Sequence, residues 1–362
     1  MANANGNRKK RVAILIENHF EDSEFSIPYN ALQKAGADIT IVGSRMNEEY
    51  EGKRGRATVK PTATATEIRS EDFDAIIIPG GAAPDRIRTN PNAVRLIIDA
   101  MAQNKLVAAV CHGPQVLIEA DQLRNRQATG YRSIRVDMRN AGATYRDEPV
   151  VVDRNLITSR RPGDLSLFTV MVLSNLGIRI DGTTLPDTSD QSFEWWQLAE
   201  EWGGSSKQDI VNVLNAVVIG ERYTLEAFRK YGDPTIDQEL KLVLDEIRSI
   251  KQDHVAMLER RLQAFDEEVA WQAIGSDAYA TLINWLQSSN DESIMRRALG
   301  DIQTGIVDLS KLSSRITDPI TVNLMSQIES NLARCEQRLA SLYRARLGDK
   351  VESPMPTTLT AV

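Results

Sequence analysis

The sequence predicts two fold classes in series: an α/β half built on a doubly wound, mostly parallel sheet, then an all-α half built as a four-helix bundle. Two observations predict it. From residue 11 to about 180, short β-branched apolar runs alternate with segments of helical period, and runs apolar throughout belong to strands covered on both faces. From about 192 onward no strand pattern appears, and long amphipathic stretches follow one another with short connections. A chain of 362 residues also exceeds what one ordinary core fills.

In order, "RVAILIE" (11–17) is the first strand and Pro28 to Ala35 the first helix; "DITIVGS" and "DAIIIPGG" are the next strands. A helix near 91–103, the strand in "LVAAVCH" and another helix follow. "ATYRDEPVVVDRNLITSR" reads as a hairpin, and a helix from Gly163 to Leu176 closes this half. The expected domain spans 10–178, with a turn-rich linker at 179–191 and a bundle domain at 192–348. The bundle's long helices are expected at 206–231, 234–269, 291–315 and 318–347, with shorter ones near 192–202 and 277–288. Gly232-Asp233-Pro234 and Asp318-Pro319 supply stops and starts, and the tail at 349–362 is expected to be disordered.

A net charge of -7 argues against a nucleic-acid binder, so "RKKR" (8–11) and the arginines between 124 and 139 read as solvated surface. Only two cysteines occur, Cys111 and Cys335, too few for a disulfide framework or a cysteine metal site. That usage fits a reducing compartment. The apolar run "VAILI" ends at Glu17, too short for a signal-peptide core or a membrane span, so a cytoplasmic location is expected.

The chemistry concentrates in "LVAAVCHGPQVLIEA" (106–120). In doubly wound sheets ligands bind beyond the carboxyl ends of strands, where Cys111 falls, at a strand-to-helix elbow. A helix N-terminus favours the thiolate, so the Cys111 pKa is expected to be lowered. The same stretch also fits a buried core cysteine. "AVCHGPQVL" resembles the nucleophile elbow of the PfpI (intracellular protease I) family of the ThiJ/PfpI superfamily, whose fold is flavodoxin-like and of the class I glutamine-amidotransferase type. "FEDSEFSIPYNALQKAG" (20–36), "IIIPGGAAPDRIR" (76–88) and "DMRNAGATYRDEPVVVDRNLITSRRPGDL" (137–165) are similar to other parts of that family. The likeness covers nearly all of 10–178.

The resemblance implies Cys111 as nucleophile and His112 as its base or orienting group. It implies Glu21 as the carboxyl sharing a hydrogen bond with the sulfur, and Tyr131 as the active-site tyrosine. Gly80 and Gly81, with the His112 amide, are expected to form an oxyanion hole. The family's third, acidic residue comes from a neighbouring subunit and is similar in position to Asp85, implying a homo-oligomer with Asp85 at an interface. An Asp there is one methylene shorter than the family's usual Glu. Implied substrates are a small carbonyl compound, a glycated adduct or a peptide, with no cofactor, nucleic acid or membrane as partner. Protease, glyoxalase and deglycase activities remain open. A redox sensor or chaperone, and an assembly role carried by the bundle, are the alternatives.

In the bundle, Ile210, Leu214, Val217, Glu221, Leu225 and Phe228 share one helical stripe, as do Val243, Ile247, Ile250, His254 and Leu258. A Glu and a His facing a bundle core make Glu221 and His254 candidate metal ligands, in architectural likeness to ferritin-like di-iron proteins. The ligand count falls short: Lys251 stands where an acid should precede His254, and the last helix offers Glu329 and Glu336 without a His. No metal is therefore expected.

Overall fold

The computed structural model describes residues 8–180, 184–190, 192–268 and 290–347. It divides into two compact units, the first reaching Ser206 and including Thr317–Pro319, the second comprising Lys207–Ile316 and Ile320 onward.

The first unit is an α/β domain. Its strands are β1 (Arg11–Leu15), β2 (Asp38–Gly43), β3 (Tyr50–Glu51), β4 (Thr58–Val59), β5 (Ala63–Thr64), β6 (Ala75–Ile78), β7 (Leu106–Val110), β8 (Gln127–Ala128), β9 (Thr144–Tyr145), β10 (Val150–Asp153) and β11 (Leu156–Ser159). Seven form one sheet in the order β10-β11-β7-β6-β1-β2-β5, parallel except for the antiparallel β10–β11 hairpin at one edge. β6, β7 and β11 are buried along their whole length, because helices cover both faces. Those helices are α1 (Asp22–Lys34), α2 (Ala83–Ile87), α3 (Pro91–Ala102), α4 (Pro114–Glu119), α5 (Arg135–Asn140) and α6 (Leu165–Leu176).

Two boundaries differ from expectation. The first helix begins at Asp22, two turns before Pro28, which lies inside it and withholds one amide from the ladder. A further helix, α7 (Trp195–Glu201), belongs to the α/β unit and not to the bundle. Trp195 and Trp202 are buried in the α/β core, and Asn30 Nδ2 donates to the Trp202 carbonyl at 2.9 Å. The bundle therefore starts at 207, not 192.

The second unit consists, among the described residues, of α8 (Lys207–Gly232), α9 (Gln238–Gln263), α10 (Asp291–Ser313) and α11 (Pro319–Leu347). Gly232 and Pro319 mark an end and a start as the sequence indicates. α9 starts later than Pro234 because the Asp237 carboxylate accepts from the amides of Glu239 and Leu240 at 2.9 and 3.1 Å, fixing the cap there. The helix expected near 277–288 and the tail at 349–362 lie outside the described residues. No described helix is long and apolar enough to cross a membrane.

Candidate active site

The parallel strands deliver their carboxyl ends to one place. β1 leads to the Glu17–Glu24 segment, β6 to Gly80-Gly81, β7 to Cys111, and β11 ends at Ser159, whose carbonyl accepts the Cys111 amide at 2.9 Å. Cys111 has φ 61°, a left-handed conformation costing a non-glycine residue roughly 1–3 kcal/mol. Strand and helix meet so sharply there that the side chain stands out at the turn. A neighbouring carboxyl group, imidazole and amide then converge on the sulfur.

The carboxyl beside the thiol is Glu24, not Glu21. Glu24 is fully buried; its Oε2 accepts the Gly80 amide at 2.7 Å, while Oε1 has no nitrogen or oxygen partner and the carboxyl's remaining polar neighbour is the Cys111 thiol. Burial, reinforced by the nearby Glu21 charge, raises the Glu24 pKa to about 8, so it is a carboxylic acid at neutral pH. Glu21 is turned one helical step away. It accepts Arg54 Nε at 2.9 Å and faces Lys53 Nζ at 3.9 Å. Asp22 ties down the same loop by accepting the amides of Arg54, Arg56 and Ala57.

The expected low thiol pKa is also corrected. Burial, then the charge of Glu24, pushes Cys111 well above its ordinary range, against the opposing pull of the Gly81 amide on the sulfur. A helix terminus contributes about 0.3–1 kcal/mol, whereas desolvation moves a buried group by up to several pH units. Burial wins. Cys111 is 7 % exposed.

His112 places Nδ1 3.3 Å from the Cys111 sulfur. Burial and the Lys53 ammonium lower its pKa, so the ring is neutral and ready to accept a proton. The Tyr131 ring stacks on it with centroids 5.0 Å apart, and the Tyr131 amide donates to the Cys111 carbonyl at 2.8 Å. Asp85 does not reach His112 within the chain; its exposed carboxylate pairs with Arg88 at 2.6 Å.

The two glycines serve the site differently from expectation. The Gly80 amide is committed to Glu24, and the Gly81 amide acts on the sulfur by favouring its thiolate. Both must still be glycine. A Cβ at Gly80 would lie 2.7 Å from Cys111 Cβ, and Gly81, at φ 79°, would drive a Cβ to 2.3 Å from the His19 carbonyl. The His112 amide, 2.8 Å from that same Gly80 position, is the remaining donor of the expected set.

The roles of Glu24 and Glu21 separate in one experiment. Removing the Glu24 charge takes away two of the influences that raise Cys111, so Glu24→Gln is expected to increase thiol alkylation at pH 8 by about tenfold. Glu21→Gln should change it far less. A pH profile unmoved by Glu24→Gln contradicts the contact.

In the bundle core, Glu221, Lys251 and His254 are all buried and in contact. Lys251 Nζ donates to both Glu221 oxygens at 3.1 and 3.3 Å, and His254 Nδ1 lies 3.0 Å from Glu221 Oε2. Asn331 Nδ2 meets His254 Nε2 at 3.1 Å. Burial alone would raise the Glu221 pKa, but the His254 hydrogen bond and the Lys251 charge hold it below the ordinary carboxylate value.

A model of the DJ-1/PfpI family matches residues 10–175. General stress protein 18 of Bacillus subtilis is 44% identical over 160 residues, which is 44% of this chain and 93% of that protein. The chain belongs to the DJ-1/PfpI family. Protein/nucleic acid deglycase 2 of Escherichia coli, another relative, is 40% identical over 169 residues, 46% of this chain and 98% of its own length. A crystal structure from Anabaena variabilis, of a two-domain protein with DJ-1/ThiJ/PfpI-like and ferritin-like domains, is 52% identical with a TM-score of 0.91. It covers 97% of this chain and is itself covered to 99%, so the helical unit is ferritin-like as well.

A ferritin-like bundle raises the possibility of a di-iron centre, and the core residues here do not fit one. The Lys251 ammonium engages both Glu221 oxygens and Asn331 engages the second His254 nitrogen, which leaves those ligands committed. Among the described residues no group of three or more His, Cys, Asp or Glu side chains is placed to hold a metal. Sequence reasoning missed Glu24 in the α/β unit and Asn331 in the bundle. Glu24 carried a signal: it is a second acidic residue, three positions after Glu21, in the first turn of the helix.

Proposed function

We propose that this DJ-1/PfpI-family protein is a cysteine-dependent, stress-related enzyme acting on carbonyl groups through Cys111, of the hydrolase or glyoxalase/deglycase type. The observation that carries the reading is one sulfur flanked by a neutral imidazole at 3.3 Å and a carboxyl protonated at neutral pH. Such a trio adds to an electrophilic carbon without first forming a stable thiolate. As sulfur bonds to the carbonyl carbon, the C=O π pair moves onto oxygen and the thiol proton passes to His112 Nδ1. The His112 imidazolium then gives that proton to the oxygen, leaving a neutral imidazole and a neutral hemithioacetal or tetrahedral adduct. The Glu24 proton stabilises negative charge on sulfur when the adduct reverts or collapses. The relatives' names, a general stress protein and a protein/nucleic acid deglycase, support this class.

A redox-sensor role is less well supported, since sensor cysteines are exposed with low pKa, and Cys111 is nearly buried with a raised one. Turnover of methylglyoxal, glycated amines and peptides by the purified full chain tests the proposal; no consumption of any of the three sinks it.

Asp85 sits exposed on the short helix α2, and we place it at an interface between copies of the chain, in line with the family resemblance. Light scattering should give at least a dimer. A monomer with full activity contradicts this assignment.

A further inference from the structure

We infer that Ser133 orients His112 for Cys111 from within the same chain. This rests on the proposed reading of Cys111 as a nucleophile. An imidazole adjacent in sequence to its thiol needs a second contact to hold its ring toward the sulfur. Here Nδ1 faces the sulfur at 3.3 Å, and Nε2 meets the Ser133 hydroxyl at 3.2 Å. Both contacts lie along one ring.

The hydroxyl is held in the same rigid frame as the thiol. Ser133 lies in the turn Arg132–Ile134, which follows Tyr131, and the Tyr131 amide donates to the Cys111 carbonyl at 2.8 Å. The turn is closed by the Ile134 amide donating to the Tyr131 carbonyl at 3.0 Å. It is anchored below by buried Ile134 and Met138, and at Gly130 by the Tyr145 hydroxyl, which donates to its carbonyl at 3.0 Å. A movement of Ser133 away from His112 therefore has to break the segment's link to the nucleophile's own backbone.

The groups acting on the ring are the Cys111 thiol, the Ser133 hydroxyl, the stacked Tyr131 ring and the Lys53 ammonium. Lys53 opposes a positive charge on it. Of these contacts, Ser133 is positioned to accept a hydrogen bond from Nε2–H when Nδ1 takes up the thiol proton. A hydroxyl oxygen carries no net charge, so it aligns the ring without forming a permanent ion pair. That matches a thiol protonated at rest and needing only a transient proton acceptor. Within the chain, Asp85 pairs with Arg88 and does not act on the ring.

Two readouts on the full chain test the role without any carbonyl substrate, so failure of the proposed activity does not decide it. The sequence holds three histidines, which makes the His112 ring signals assignable by NMR titration. Ser133→Ala is expected to lower the His112 midpoint further and to slow Cys111 alkylation at neutral pH about tenfold, one pH unit's worth. Ser133→Thr, which keeps the hydroxyl, should restore both. The inference is overturned if Ser133→Ala changes only unfolding stability, or if it leaves both the His112 midpoint and the alkylation rate unmoved.

Discussion

Cys111→Ala is expected to abolish carbonyl-directed turnover, by about ten-thousand-fold or more, while Cys335→Ala leaves it intact. The contrast is informative because both cysteines are buried and free, so burial and packing loss alone would affect them alike. Only Cys111 has a base at 3.3 Å, a carboxylic acid beside it and a backbone turned out into the left-handed region. The alanine keeps φ near 61° without the sulfur, so circular dichroism should be unchanged. Equal losses from the two substitutions, or full activity in Cys111→Ala, would remove the nucleophile assignment.

Cys111 was legible in the sequence because its signal is local: an apolar run, a Cys-His pair and a renewed helical period sit within fifteen residues. The partners of its sulfur were less so. Glu21 and Glu24 are both acidic residues near the start of one helix, and Pro28 hides where that helix begins. Once the helix starts at Asp22, its first turn aims Glu24 at the thiol, while Glu21, also buried, is drawn to Arg54 from a distant loop. That choice is made by residues more than thirty positions away. The glycine amides show the same limit: a Gly-Gly turn announces a close approach, but which atom approaches depends on Glu24 and the thiol being there.

The bundle gives the converse case. The stripe placing Glu221 and His254 on core faces was plain, as was Lys251 one helical turn before His254, because helical period projects directly onto faces. Asn331 was not, since the partner of His254 Nε2 comes from a helix 77 residues on. The α7 boundary failed for a related reason. Trp195 and Trp202 read as apolar helix positions in any bundle, and only the tertiary core shows that they fill the α/β unit.

The second large effect lies in that buried ion pair. Lys251→Met should destabilise the bundle by about 3–5 kcal/mol, because it leaves the Glu221 carboxylate buried with only His254 and no cation to balance it. Glu221→Gln should cost a similar amount by stranding the ammonium, which is 1% exposed and cannot turn out to solvent in place. The double variant Glu221→Gln with Lys251→Met removes both charges and keeps an oxygen for the His254 Nδ1–H, so it should return to within about 1 kcal/mol of the parent. The pH dependence carries the same sign. Glu221 has a lowered pKa in the folded state, so its stabilisation is present above the ordinary carboxylate value of 4.5 and is lost as pH falls through the lower, folded value. The parent bundle should therefore weaken on acidification in that range, and the double variant should not share that loss. Urea unfolding of the full chain followed by far-UV circular dichroism, with the helical transition fitted separately, measures all three variants. Additive losses in the double variant, or a Lys251→Met cost below about 1 kcal/mol, would mean that the pair is not the mutually dependent unit its geometry describes.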